Sequence, residues 1–129
     1  MRTEESSMGL PHDSMLLRIS IGGSEKWHNQ PLSEAIVLKA RELLLAGATV
    51  LHGAMGFGKS SRMHTTKIWR LSNDLPVVVE IVDTEERINA FLPVLDQMIG
   101  SGLATFEKAR VIHYRGAATP GPGTTGHTA

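Results

Sequence analysis

Two amphipathic helical segments, each set between β-strands, constrain the fold of this chain more than any other feature. The first is predicted to begin at Pro31 and to run to about Ala46. The second is predicted to follow a cap at Asp83 or Thr84 and to end at Gly100. It places five apolar residues on one face: Ile88, Phe91, Leu92, Leu95 and Ile99. A chain with this alternation has to pack its helices against a sheet.

The predicted strands fill the intervals before, between and after the helices. Alternating apolar residues at Leu17, Ile19 and Ile21 indicate a half-buried first strand. The others are residues 48–51, an interrupted strand over 67–71 and 77–82, and residues 107–114. The order βαββαβ predicts an α+β ferredoxin-like sandwich, which is a four-stranded antiparallel sheet with both helices on one face.

A length of 129 residues suits a single domain. We expect residues 15–115 to form it, preceded by a disordered polar arm over residues 1–14. Residues 116–129 are rich in glycine, proline and threonine, and we expect them to be a disordered tail. The chain contains no cysteine, which excludes disulfides and thiolate chemistry.

Charge and hydropathy restrict the partners. The formal net charge is zero, so the chain lacks the basic footprint of a nucleic-acid-binding protein. No apolar run approaches the roughly 20 residues that span a bilayer, so we expect no direct membrane insertion. The polar start of the chain lacks the apolar segment of a signal peptide, and we therefore expect a cytoplasmic protein.

The predicted third strand is apolar on both faces. Residues 77–79 are all valine, residues 81–82 are isoleucine and valine, and Glu80 is the interruption. Two helices can cover only one face of a sheet, so the other face needs a partner. We therefore predict a homo-oligomer that packs sheet against sheet.

A glycine-rich loop follows the second predicted strand. Residues 53–60, Gly-Ala-Met-Gly-Phe-Gly-Lys-Ser, match the phosphate-binding pattern G-x-x-x-x-G-K-[ST]. One interpretation is a P-loop nucleotide hydrolase, although the following segment lacks the periodicity of the helix that this fold needs. Another is a hairpin loop in which Gly56 and Gly58 permit positive φ. We favour a long loop in which the glycines, Lys59 and Arg62 contact an anionic ligand.

Three parts of the chain resemble the PII signalling proteins. Gly-Ala-Thr-Val at 47–50 and Gly-Phe-Gly at 56–58 are similar to the PII strand that leads into a mobile loop, the T-loop. Leu-Pro-Val at 75–77 with Glu-Ile-Val at 80–82 resembles the segment after that loop. Val-Ile-His-Tyr-Arg-Gly at 111–116 resembles the last PII strand and its basic end.

A larger share of the chain, from about residue 16 to residue 114, is similar to a PII-like family, domain of unknown function 190. The motifs that carry this likeness are Leu17-Arg18-Ile19, Lys26-Trp27-His28, Pro31-Leu32, residues 46–50, residues 55–58, Arg62, His64 and residues 80–83. The two resemblances agree with the fold predicted from the order of elements.

The resemblance implies a homotrimer with an adenine nucleotide in each cleft between subunits. Thr49 would approach the base, residues 56–58 would lie along the nucleotide, and Arg115 would lie near the phosphates. The predicted nucleotide-binding residues are Thr49, Gly56, Phe57, Gly58, Lys59, Arg62, His64 and Arg115.

The segment after the second predicted helix departs from the PII pattern. PII proteins carry Gly-Lys-Ile-Gly-Asp-Gly-Lys there, whereas residues 100–106 of this chain are Gly-Ser-Gly-Leu-Ala-Thr-Phe, with no lysine before Lys108. AMP, ADP and ATP, with or without Mg²⁺, therefore stay open as ligands. The expected function is regulatory: the ligand orders residues 55–66, which then contact a partner. By analogy with PII proteins, that partner would be a membrane transporter or channel.

The histidines and serines suggest further hypotheses. A metal-binding trimer would need the fold to gather His28, His52, His64 and His113, since imidazole binds zinc and copper. Ser60 and His64 could be drawn as a nucleophile and a base, but nothing in the sequence orients them. We therefore expect no enzymatic activity and assign no catalytic residue and no metal ligand.

Overall fold

The computed structural model describes residues 13–57, the backbone of 64–65, and residues 75–116. Its strands are β1 (Asp13–Gly22), β2 (Lys26–Trp27), β3 (Gln30–Pro31), β4 (Thr49–His52), β5 (Met55–Gly56), β6 (His64–Thr65), β7 (Pro76–Asp83) and β8 (Leu103–Arg110). Its helices are α1 (Leu32–Glu42) and α2 (Glu85–Met98), neither of which is long and apolar enough to cross a bilayer. The predicted strand over 67–71, residues 1–12 of the arm and the tail from residue 117 lie outside the described residues.

Four of the described strands form one antiparallel sheet in the order β4-β7-β1-β8. β1 pairs with β7, where Met15 lies opposite Asp83, and with β8, where Asp13 lies opposite Arg110. Both helices lie on one face of the sheet: α1 contacts β7 and α2, and α2 contacts β1 and β7. This is the ferredoxin-like βαββαβ arrangement, so the predicted fold is confirmed.

The core lies between the sheet and the helices. β1 and β7 turn alternate side chains toward the helices, because successive residues of a strand point to opposite faces. Fully buried apolar side chains in this layer are Leu17, Ile19, Leu32, Ile36, Val79, Ile81, Ile88 and Phe91. Of the predicted apolar face of α2, Leu92 and Ile99 are only partly buried, whereas Met98 is buried. The apolar stripe of α2 is therefore centred on Ile88, Phe91 and Leu95.

The last strand lies four residues earlier than predicted, at Leu103–Arg110 instead of 107–114. The apolar and aromatic residues of 111–114 favour a strand locally. Pairing with β1 overrides this preference: Leu103 already lies opposite Ser20, five residues after α2 ends at Met98. The segment 111–116 therefore follows the sheet and is not its last strand. β1 also begins earlier than expected, at Asp13.

The face of the sheet away from the helices, which we call the open face, is covered by neither helix. Its apolar residues are half-buried or exposed: Leu16, Leu51, Val78, Val82 and Leu103. One polar row crosses it, because Thr49, Glu80, Arg18 and Thr105 are successive Cα partners on β4, β7, β1 and β8. Within this row, Nε of Arg18 donates to Oε2 of Glu80 at 3.0 Å.

α1 ends at Glu42, four residues before the predicted end, in a Schellman motif. The N–H of Leu45 donates to the Ala40 carbonyl and that of Leu44 to the Arg41 carbonyl, each at 3.0 Å. Leu44 has a φ of 63°, in the left-handed region that glycine usually fills at this position. Its side chain is 74% exposed.

Replacing Leu44 by glycine should stabilise the fold by about 1 kcal/mol, because glycine adopts positive φ without a Cβ clash. Urea unfolding of Leu44→Gly and of the wild type measures the difference. Leu44→Ala is the matched control: it removes the same exposed side chain but keeps the strain, so its free energy of unfolding should stay within about 0.5 kcal/mol of wild type. A loss of stability in both variants would show that the Leu44 side chain packs against another subunit.

Candidate functional site

Two of the predicted ligand residues, Thr49 and Arg115, lie at the same end of the sheet. Thr49 is exposed and is the first residue of β4. Residues 111–116 leave β8 at this end and reach the connection between α1 and β4. There the hydroxyl of Tyr114 donates to the carbonyl of Ala46 at 2.8 Å. Arg115 therefore directly follows Tyr114, which is bonded to Ala46, and Ala46 lies three positions before Thr49.

The guanidinium of Arg115 is exposed and contacts the histidine two positions before it. Nη2 of Arg115 lies 3.0 Å from Nδ1 of His113, so the arginine donates to that nitrogen. A guanidinium carries five N–H groups in a planar fork, and one such bond leaves enough of them to hold a phosphate in bidentate fashion.

A buried carboxylate holds the α1–β4 connection against this end of the sheet. Asp83, the last residue of β7, is fully buried; its Oδ2 accepts from the Ala46 N–H at 2.8 Å and its Oδ1 from the Thr84 N–H at 2.7 Å. Nη1 of Arg87 lies 3.9 Å from Oδ1, and Nη2 donates to the Leu44 carbonyl at 2.6 Å. Both backbone groups of Ala46 are thus bonded to residues far away in sequence.

Of the two predicted caps of α2, Thr84 takes the role. It is the N-cap residue, and its hydroxyl accepts from the Arg87 N–H at 3.1 Å. Asp83, one position earlier, instead joins two segments: one carboxylate oxygen accepts from the α1–β4 connection and the other from the Thr84 N–H before α2. The prediction of Asp83 as a possible helix cap therefore misses its bond to the Ala46 N–H.

Gly53 and Gly56 pack against Pro76 at the opposite end of β4. The N–H of Gly53 donates to the Pro76 carbonyl at 2.7 Å. A Cβ on Gly53 would lie 3.0 Å from Cγ of Pro76, and a Cβ on Gly56 would lie 2.9 Å from it. Among the described glycines only Gly102 has positive φ. The prediction that Gly56 permits positive φ is therefore wrong, and close packing is the reason for a glycine there.

Beyond this contact the loop exposes apolar side chains. Phe57 is 73% exposed and Met55 is also exposed. The backbone of His64 pairs with Gly56 across β5 and β6. The predicted ligands Gly58, Lys59 and Arg62 lie outside the described residues, and their place in the site stays a prediction.

β4 divides the predicted ligand residues of one protomer into two groups. Thr49 begins the strand beside the segment of Arg115, whereas Gly56 and Phe57 follow its other end, past His52. Four residues of strand separate these ends by about 10 Å. One ligand can touch both groups only if it is extended or if two protomers contribute.

The backbone after β4 differs from that of a P-loop NTPase. Met55 and Gly56 form a strand that pairs antiparallel with Thr65 and His64. A P-loop instead opens a helix directly after its Lys-Ser pair. The described residues on either side of 58–63 thus belong to an antiparallel strand pair. The described residues therefore form an antiparallel ferredoxin-like sheet and not a P-loop fold, whereas nucleotide hydrolysis stays an untested hypothesis.

The histidines whose side chains the structure describes do not gather. His28 stacks on Trp27 with ring centroids 3.8 Å apart, His113 contacts Arg115, and His52 is exposed on β4. No group of three or more His, Cys, Asp or Glu residues that could hold a metal occurs within the described part of the chain.

Comparison with known proteins supplies the family. Residues 14–111 match domain of unknown function 190 (DUF190), which carries the description "Uncharacterized ACR". The chain belongs to the DUF190 family. This DUF190 chain is 38% identical over 100 residues to a UPF0166 protein of Aquifex aeolicus (strain VF5), covering 76% of this chain and 92% of that one. It is 34% identical over 84 residues to UPF0166 protein MJ1524 of Methanocaldococcus jannaschii, covering 65% and 77% respectively.

A solved structure with the same fold is CPII, a nitrogen regulatory PII-like protein from Thiomonas intermedia K12, bound to ADP, AMP and bicarbonate. The TM-score is 0.54 at 17% identity, and the match covers 77% of this chain and 88% of CPII. The likeness establishes the PII-like fold of this DUF190 protein, in agreement with the resemblance found in its sequence.

Two residues that shape this end of the DUF190 fold, Asp83 and Tyr114, were not among the predicted ligands. A carboxylate directly after the apolar pair Ile81 and Val82 is a signal of a buried acid, since such a group needs donors around it. Tyrosine carries a polar tip that usually finds a partner when the ring is buried. The partner itself, Ala46, has no sequence signal, because it depends on tertiary packing.

Gly56→Ala should destabilise the fold by about 1–3 kcal/mol, because the added Cβ would lie 2.9 Å from the rigid ring of Pro76. Gly47→Ala is the control, since a Cβ there meets no atom within 4 Å. Urea unfolding measures both variants. In a Pro76→Ala background the cost of Gly56→Ala should fall, because Cγ is absent. An equal cost in both backgrounds would contradict the packing argument.

Proposed function

We propose that this protein is a PII-like regulatory protein that binds an adenine nucleotide between the subunits of a homotrimer. The observation that carries the proposal is the bond from the Tyr114 hydroxyl to the Ala46 carbonyl, which holds the residue before Arg115 near the end of the sheet where Thr49 begins β4. CPII, which shares the fold, was solved with ADP and AMP bound. In this chain the nucleotide would be AMP, ADP or ATP, with or without Mg²⁺.

Each group has a role suited to its chemistry. The exposed hydroxyl of Thr49 can donate to or accept from the polar edge of an adenine base. Arg115 binds phosphate oxygens through its guanidinium, and Lys59 and Arg62 add positive charge from the loop. Because the net charge of the chain is zero, these local cations and not an overall field attract the anion.

The loop between β4 and β7 responds to the ligand. Phe57 and Met55 already expose apolar side chains next to the β5–β6 pair. A ligand that contacts residues 56–58 would shift the position of these side chains and so present or hide an apolar surface to a partner. By analogy with PII proteins the partner is a membrane transporter or channel. The protein is regulatory and not an enzyme.

The open face supports the assembly. Val78 and Val82 of the inner strand β7, with Leu16 of β1, form an apolar centre that neither helix covers. Contact with the equivalent faces of other subunits would remove this surface from water. The clefts between subunits would then run along the sheet edge, where β4 places Thr49 at one end and Gly56 beyond the other.

Nucleotide binding is tested by calorimetry and thermal unfolding with AMP, ADP and ATP, each with and without Mg²⁺. At least one should bind, and a ligand at 100 times its Kd stabilises the fold by about 2.7 kcal/mol. Arg115→Ala, Lys59→Ala and Arg62→Ala should each weaken binding by roughly tenfold, the usual loss for one charged hydrogen bond to phosphate.

Arg110→Ala is the matched control for these variants, because Arg110 is an exposed cation at the end of β8. It should bind with wild-type affinity. The proposal fails if no nucleotide stabilises the wild type at millimolar concentration.

The assembly is tested with Val78→Asp, which places a charge in the apolar centre of the open face. The homotrimer should dissociate, because the charge cannot be buried without a partner. Sedimentation velocity measures the mass, and Ala90→Asp, which adds the same charge on the exposed side of α2, should leave it unchanged. A Val78→Asp variant that sediments as a trimer, or a wild type that sediments as a monomer, contradicts packing through this face.

A further inference from the structure

Tyr114 is the chain's single tyrosine and lies four residues after the end of β8. β8 and β4 are at opposite edges of the sheet with two strands between them, so their axes are about 14 Å apart. An extended chain covers about 3.4 Å per residue, so four residues from Arg110 reach about that far. Tyr114 is therefore placed where the segment can first reach the α1–β4 connection.

The segment that carries Tyr114 has no regular secondary structure. Residues 111–116 form neither helix nor strand. The half-buried ring of Tyr114 puts its hydroxyl 2.8 Å from the Ala46 carbonyl, 68 positions away in sequence. This long-range bond fixes the course of the segment across the end of the sheet.

The acceptor of that bond is itself held firmly. The N–H of Ala46 donates to the buried carboxylate of Asp83, and the Leu44 carbonyl accepts from Arg87. Displacing Ala46 would leave a buried carboxylate oxygen without its donor, which is costly. The tyrosine is therefore anchored to the sheet through a rigid point.

We propose that Tyr114 is a positioning residue for Arg115 in nucleotide binding. Arg115 is the next residue, so anchoring the Tyr114 hydroxyl limits the region that the guanidinium can reach to the end of the sheet where Thr49 begins β4. The bond from Arg115 to His113 restricts the guanidinium further. This inference rests on the proposed function, since its ligand is the nucleotide phosphate assigned to Arg115.

The energetic effect comes from preorganisation. A segment that is already ordered before the ligand arrives does not lose conformational freedom on binding. Without the anchor, Arg115 would have to be ordered by the ligand, and we expect the nucleotide to bind about three- to tenfold more weakly.

Tyr114→Phe removes only the hydroxyl and keeps the ring. Calorimetry with AMP, ADP and ATP should show three- to tenfold weaker binding, and amide hydrogen exchange should become faster in residues 111–116. In an Arg115→Ala background the same substitution should change affinity less than about 1.5-fold, because Tyr114 acts through that arginine. A purely structural role would give the same factor in both backgrounds, and that result would overturn the proposal.

Ile112→Ala is the matched control in the same segment, since the Ile112 side chain is 87% exposed. Its nucleotide affinity and amide exchange should equal those of the wild type. If the wild type binds a nucleotide and Tyr114→Phe binds it equally well, the positioning role fails while the proposed function stands. If the wild type binds none of the three nucleotides, both fail.

Discussion

The carboxylate of Asp83 is fully buried where β7 meets α2, and the geometry of the candidate site depends on its hydrogen bonds. A carboxylate that is removed from water needs hydrogen bonds from nearby donor groups. The N–H groups of Ala46 and Thr84 supply them, one to each oxygen. One side chain thus places both the connection before β4 and the start of α2. Through Ala46 it also gives Tyr114 a fixed acceptor, so that two segments from opposite edges of the sheet meet at one point.

The open face links this end of the sheet to the proposed assembly. The polar row of Thr49, Glu80, Arg18 and Thr105 crosses a surface that is otherwise mainly apolar near its centre. A second subunit packed on the apolar residues would have to leave this polar row in contact with water or supply hydrogen-bond partners to it, because unpaired polar groups are costly to bury. Thr49 is the end of that row at the sheet edge, which makes it accessible to a ligand even when the centre is covered.

Several elements follow from their local residues, and several do not. Helix α2 begins directly after Thr84, one of the two predicted caps, because the threonine hydroxyl satisfies a free N–H of the first turn. By contrast, residues 26–31 form a hairpin where a polar connection was expected, with His28 and Asn29 at positive φ in a two-residue turn. The end of α1 was also missed, since Leu44 adopts a conformation that its residue type disfavours. The Gly-Lys-Ser match suggested a P-loop, because a short sequence pattern carries no information on which strands pair in the fold.

Hydrophobic period, capping residues and element order are properties of neighbouring positions, so the amino-acid sequence alone specified a ferredoxin-like sandwich. The PII-like family followed separately, from the resemblance of short motifs such as residues 46–50 and 55–58. Which residues meet across the chain depends on sheet pairing and packing. β8 lies at Leu103–Arg110 because these residues pair with β1, although residues 111–114 have the stronger local preference for a strand. For the same reason the contacts of Asp83, Tyr114 and Pro76 emerged only in the folded chain. The bonds of Asp83 and Tyr114 to Ala46 join residues 37 and 68 positions apart, and the glycines that pack on Pro76 lie 20 or more positions before it. No local pattern encodes contacts over such sequence separations.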